Sequence, residues 1–165
     1  MNANSFRHLY AYHYSENRKM WDSGIALLSD EQFVQASPYS RGSVREQVIH
    51  LMRVDDAWFT DVSGEAYLFK GAEALSDRDA IRAYGDVVEE KVRAYLATLT
   101  DDMLFTKPIT DGEEEDKDVL LWQVLIHVMN HGTDHRAQIL RLLNDFGVQT
   151  ESQDYIFYVY ENPLE

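Results

Sequence analysis

Three of the chain's six histidines share one stretch: in LWQVLIHVMNHGTDHRAQIL, His127, His131 and His135 recur every four residues. At 100° per residue these positions fall within about 80° of arc on one helix face. The same arc carries Leu120, Val124, Val128, Leu142 and Phe146, so polar rings interrupt an apolar stripe and need partners to offset their desolvation. Two imidazoles at i and i+4 can point at one metal ion, because successive turns stand about 5.4 Å apart and metal–nitrogen bonds are about 2.0 to 2.1 Å. The same spacing also fits core or surface histidines bonded to carbonyls and carboxylates. His50, on a different helical stretch, is the natural third ligand, although periodicity alone does not choose between that role and an exposed position. It lies at one margin of a broad apolar arc that also holds Val54 and Ala57, wide enough for burial on two sides, one against the chain's own core and one against a partner subunit.

The residue after His131 is Gly132, so the general-base Glu of an H-E-x-x-H metalloprotease is missing. Asp134 has two readings, a group that orients a ligand or water and a plain solvated carboxylate. His13 shares a helix face with Asn17 as a candidate buried polar pair, and His8 is expected at the surface.

Four amphipathic helical segments must position these groups. The first is expected from about Asn4 to Leu28, ended by Ser29 and Asp30. The second opens on Ser43 and Glu46, a capping-box pattern, and stops near Gly64. The third starts at Ser76 with Asp79 three residues on and closes at Thr100. The fourth extends from about Val119 to Phe146, with Gly147 where a left-handed residue is wanted. The pattern predicts an all-α chain, a four-helix bundle formed as one domain over residues 1–165. Lys107 to Thr110 and the aromatic tail Tyr155 to Tyr160 are expected to be extended, with Tyr155, Phe157 and Tyr160 adding to the core. Trp21, Trp58 and Trp122 lie on apolar stripes and read as core or interface anchors.

With 29 acidic against 15 basic residues the net charge is −14, which repels phosphate backbones and argues against nucleic acid as a partner. Six acids and one Lys crowd Asp111 to Asp118, a composition expected of a solvated loop. No window is apolar enough for a membrane span and MNANSFRHLY lacks signal-peptide regions, so no membrane partner and a cytoplasmic location are expected. The chain contains no Cys, which removes thiolate ligands and cysteine nucleophiles together. Any thiol chemistry would use a thiol from outside.

The string HVMNHGTDHRAQI, preceded by Trp122 and matched with SVREQVIHLMRVDDAWF, resembles the DinB/YfiT-like superfamily of small metal-associated proteins. The likeness covers nearly the whole chain, including Asn17 near the middle of the first helix and the His-x-x-x-His-Arg signature. It implies a four-helix bundle in a variant of up-and-down topology, commonly a homodimer, with a divalent metal held by three side chains. Carried over singly, His50 matches the ligand of the second helix, and His131 and His135 the two ligands of the fourth. His127 matches a histidine frequent one turn earlier, a pocket group rather than a ligand; His127 and, from its place beside the histidines, Asp134 are the candidate catalytic residues, with no role assigned. Some relatives are transferases or isomerases that use bacillithiol, mycothiol or glutathione, and the family name derives from damage-inducible expression, which suggests a stress role.

Three neutral imidazoles leave a divalent ion its charge and an open coordination position, the pattern of catalytic rather than structural zinc sites. Imidazole suits zinc, nickel, copper and iron alike, and of these zinc or nickel is the expected metal. Such an ion can lower the pKa of an external low-molecular-weight thiol or of water, so the expected activity is transfer of that thiol to a small-molecule electrophile. Metal-dependent hydrolysis, and a non-catalytic metal- or small-molecule-binding role, are the alternatives.

Overall fold

The computed structural model describes residues 1–111 and 113–164. It contains six α-helices: α1 (Ala3–Ser23), α2 (Asp30–Val34), α3 (Val44–Ser63), α4 (Arg78–Thr98), α5 (Leu121–Asp145) and α6 (Tyr155–Glu161). Among the described residues there is no strand. The chain is all-helical. Four long helices enclose the apolar core, α3 packing on both α4 and α5 and α1 on the same two. Phe6, Val48, Phe59, Ile81, Val92, Leu125, Val128 and Ile139 line their shared interior.

Helix starts follow cap chemistry. At α3 the expected capping box forms: Glu46 N donates to Ser43 Oγ at 3.3 Å and Ser43 N donates to Glu46 Oε2 at 2.8 Å. Gly64 closes the helix at φ 71°, a left-handed conformation that suits glycine. The third long helix begins one residue later than Ser76 suggests, since the carboxylate of Asp77 takes the cap and accepts from Ala80 N at 2.8 Å. Ser76 instead donates its hydroxyl to Asp77.

The first helix is shorter than its periodicity predicts. It stops at Ser23 because Gly24 lets the chain come close to α5, where an added Cβ would stand 2.6 Å from Leu143 Cδ1. A 3-10 turn, Ile25–Leu27, carries the apolar pattern on to Leu28. Ser29 does not end that helix but caps α2, accepting from Gln32 N at 3.1 Å. The aromatic tail is also corrected, from extended to helical. Helix α6 places Tyr155 and Tyr158 one turn apart, both meeting the rings of His8 and Tyr12 edge-on. These tertiary contacts override the strand preference of aromatic and β-branched residues. Phe157 and Tyr160 are turned away and stay 51% and 72% exposed, and Tyr155 is 36% exposed despite its ring contacts, so the expected core role fails for all three. Lys107 to Thr110 is irregular, with Ile109 buried beneath it. Of the acidic stretch, Gly112 lies outside the described residues, and Asp116–Asp118 is a 3-10 turn. The three tryptophans are half-buried against the core.

One buried ion pair fixes a loop that reappears below. Lys91 Nζ on α4 donates to Asp56 Oδ1 on α3 at 2.9 Å and to the carbonyl of Ala66 at 3.1 Å. The other oxygen of Asp56 accepts from the backbone N–H of Leu68 and Phe69, at 2.9 and 3.0 Å, and from the Tyr84 hydroxyl. The segment after α3 is therefore held by main-chain bonds to a buried carboxylate.

Candidate metal centre

Helices α3 and α5 bring His50, His131 and His135 together, each offering a ring nitrogen, with all three nitrogens within 4.8 Å of one another. His131 and His135 stand one turn apart on α5, their ring centroids 4.3 Å apart, and His50 faces both from α3 at 5.0 and 4.6 Å. The Nε2 atoms of His50 and His131 are 3.1 Å apart. Two ligands of one tetrahedral zinc stand about 3.3 Å apart, so this spacing fits a shared ion. His135 is fixed from behind: its Nδ1–H donates to Gln47 Oε1 at 3.1 Å, which leaves Nε2 with a free lone pair. Gln47 is fully buried one turn before His50. The signal for it was present in the sequence, a polar residue inside the stripe of Val44, Val48 and Leu51.

The electrostatics keep these rings neutral, the state a metal ligand needs. Burial pushes the pKa of His50 and of His131 from 6.5 down to about 4; Arg41 and Arg53 at His50, and a neighbouring ring once it is protonated, oppose protonation further. Burial lowers His135 as well, opposed by the nearby carboxylate of Asp134. The Nδ1 of His131 is buried without a hydrogen-bond partner among the described residues. Three neutral imidazoles with converging nitrogens form a cluster that could hold a divalent ion.

The remaining histidines divide. His127 is exposed, its ring edge-on to Trp58 at 5.1 Å and 6.2 Å from that of His131, outside the ligand cluster. Asp134 is exposed too and accepts from Gln138 Nε2 at 2.8 Å, a surface carboxylate beside the cluster. His8, expected at the surface, is half-buried between Tyr155 Oη and the carbonyl of Asn162. His13 is fully buried, as its pairing with Asn17 suggested.

Beneath the cluster lies a polar network that single-helix periodicity does not reveal. Arg136, the residue after His135, is 0% exposed and donates from Nη1 to His13 Nδ1 at 2.8 Å and to Asn17 Oδ1 at 3.2 Å. With Nδ1 accepting, His13 carries its proton on Nε2 and donates it to Asp55 Oδ2 at 3.2 Å. The Tyr14 hydroxyl donates to the same oxygen at 3.1 Å. Gly132 makes room for this assembly, since a Cβ there would sit 2.2 Å from His13 Cε1. The Gly that rules out a metalloprotease motif is thus required by the close approach of α1 to α5.

These depressed histidines set a pH dependence. His13, His50, His131 and His135 all have folded pKa values below 6.5, so the unfolded chain takes up protons first as pH falls. Their stabilisation is complete above about 6.5 and is lost as pH drops toward about 4. Melting temperatures of metal-free protein from pH 7.5 to 4 should therefore fall continuously through that window. A flat profile down to the carboxylate range would contradict the neutral cluster. Glu46, held low by the N–H and hydroxyl of Ser43, adds its loss only below about 4.5.

No helix of the described chain is long and apolar enough to cross a membrane. No curated protein matches the chain. The family model of the DinB family matches residues 1–164, a span that includes His50, the paired histidines of α5 and Arg136. By that match over nearly its whole length, the chain belongs to the DinB family.

Proposed function

We propose that His50, His131 and His135 hold one divalent metal ion, zinc or nickel, and that the site transfers an external low-molecular-weight thiol to a small electrophile. The observation that carries this is the convergence of three neutral imidazole nitrogens within 4.8 Å, from two helices. Bound there, the ion supplies the Lewis acidity that lowers the pKa of a small thiol. The protein's own groups supply the rest. Gln47 fixes the tautomer of His135, burial keeps His50 and His131 unprotonated, and His127 and Asp134 stand exposed beside the cluster as candidates to carry a proton. The absence of Cys is compatible with a thiol that arrives with the substrate. We further infer that α1, α3, α4 and α5 make a four-helix bundle in a variant of up-and-down topology. Residues 1–165 then form one domain that works as a cytoplasmic homodimer.

The test is a thiol panel. Protein loaded with zinc or nickel, and the same protein stripped of metal, is given bacillithiol, mycothiol or glutathione with 1-chloro-2,4-dinitrobenzene. Thioether formation that needs both metal and one thiol supports the transferase. Ester hydrolysis by the loaded protein without any thiol assigns water as the nucleophile instead, and no turnover under any condition leaves a non-catalytic metal-binding role.

A further inference from the structure

Building on that metal-site reading, we infer that the site takes a small ligand carrying an anionic oxyacid group, and that Arg41 and Arg53 are its specificity-determining residues. A chain of net charge −14 repels anions in general, so an anion is admitted only where uncompensated cations stand. Nine of the fifteen Lys and Arg side chains are committed to ion pairs with carboxylates among the described residues. Arg41 and Arg53 are not among them, and both are exposed.

Arg53 follows His50 by three residues on α3, which makes the two side chains neighbours on the helix surface. Its guanidinium lies 4.3 Å from the centroid of the Phe69 ring, and its Nε donates to Tyr67 Oη at 3.4 Å. Stacking through the face leaves the other N–H edge free to meet an oxyanion. The platform beneath it is rigid, because the backbone N–H of Phe69 is tied to buried Asp56, itself paired with Lys91. Arg41 comes from the other side, two residues before the Ser43 cap of α3. It has no hydrogen bond or ion pair among the described residues. Its neighbour Ser40 is held in a left-handed conformation, φ 52°, and its hydroxyl donates to Gln138, one turn beyond His135 on α5. This contact pins the loop that carries Arg41 to α5 three residues past His135.

Of the nearby carboxylates, Asp134 is exposed beside His135 and keeps its charge while Gln138 donates to it, so Arg41 is partly offset on that side, whereas Asp55 is buried with His13 and Tyr14. A ligand that places one atom at the histidine cluster and an acid group a few bonds away meets the guanidinium of Arg53, one turn from His50 on α3, and lies beside the loop that carries Arg41.

The experiment uses the full chain loaded with Co(II), titrated with 3-mercaptopropionate, 2-mercaptoethanesulfonate, 2-mercaptoethanol and cysteamine while the sulfur-to-cobalt charge-transfer band is followed. Comparing ratios between probes across variants cancels the probes' own acidity. The two anionic thiols are expected to bind tighter than 2-mercaptoethanol, with cysteamine weakest. Arg41→Gln and Arg53→Gln should each weaken the anionic probes about fivefold, the range for an exposed charge pair, while leaving 2-mercaptoethanol unmoved. Added salt should narrow the gap in the unsubstituted protein, a readout independent of any variant's folding. Preference for the carboxylate assigns a planar acid group, and preference for the sulfonate a tetrahedral one such as a phosphate ester. Equal ratios in the unsubstituted protein, or ratios unchanged in the double variant, overturn the inference. Failure of Co(II) to bind, by contrast, removes the metal-site reading beneath it.

Discussion

Replacing His131 with Ala is expected to lower the affinity for a divalent ion by at least about 100-fold, because losing a direct ligand must cost more than the 10- to 100-fold typical of an outer partner. His131 is the centre of the cluster: its ring contacts those of both His50 and His135, and its Nε2 lies 3.1 Å from that of His50. The metal-free fold should barely change. The Nδ1 of His131 is already buried without a partner, so truncation removes a desolvation cost of about 1 to 3 kcal/mol along with the packing. The decisive measurement is therefore the difference between loaded and stripped protein. An ion at 100 times its Kd stabilises the native protein by about 2.7 kcal/mol, roughly 5 to 10 °C in Tm for a chain of this size. His131→Ala should abolish that increment while leaving the stripped Tm within a few degrees. A variant that retains the full metal-dependent increment would show that the ion, if one binds, sits elsewhere.

Arg136→Ala should produce the opposite pattern, a large loss of stability with or without metal. The side chain is fully buried and bonds His13, Asn17, Gln153 and Thr133, tying α5 to α1 and to the segment before α6. Its removal leaves His13 Nδ1 without a donor and Asp55 without a nearby cation, and opens a cavity of several methylenes. Removing one partner from a buried charged network typically costs about 3 to 5 kcal/mol. For a chain of this length that corresponds to a fall in Tm of roughly 10 °C or more. Arg136→Met separates the parts, since it keeps much of the volume and deletes only the donors. If Met restores most of the lost stability, the contribution of Arg136 is packing; if it does not, the contribution is the network with His13 and Asp55. Thermal unfolding of both variants, followed by circular dichroism, decides between them.

The long helices were legible because each carries its own signal. Ser43 and Glu46 announced the start of α3, Gly64 and Gly147 the ends of α3 and α5, and apolar residues at threes and fours the faces turned inward. Where a boundary depended on another element, local reading failed. Gly24 ends α1 because α5 passes within 2.6 Å of the position a Cβ would take, and nothing near Gly24 in the sequence says so. The tail read as extended because Tyr, Ile and Val favour strands, yet contacts with His8 and Tyr12 made it α6.

By itself the sequence determined the residue types available for chemistry and their placement along each helix: imidazole nitrogens at four-residue spacing on α5, one more on α3, and no sulfur nucleophile. Helical periodicity does this because it is intrachain geometry, fixed by about 3.6 residues per turn. The resemblance to a family, not periodicity, pointed to His50 as the partner of His131 and His135. Only the tertiary structure decided which nitrogens meet, that Gln47 holds His135, that His127 stands outside the cluster, and that Arg136 and Asp55 lie buried beneath it. Those facts depend on the rotation and approach of one helix relative to another, which are set by side-chain packing across the whole core rather than by any window of sequence.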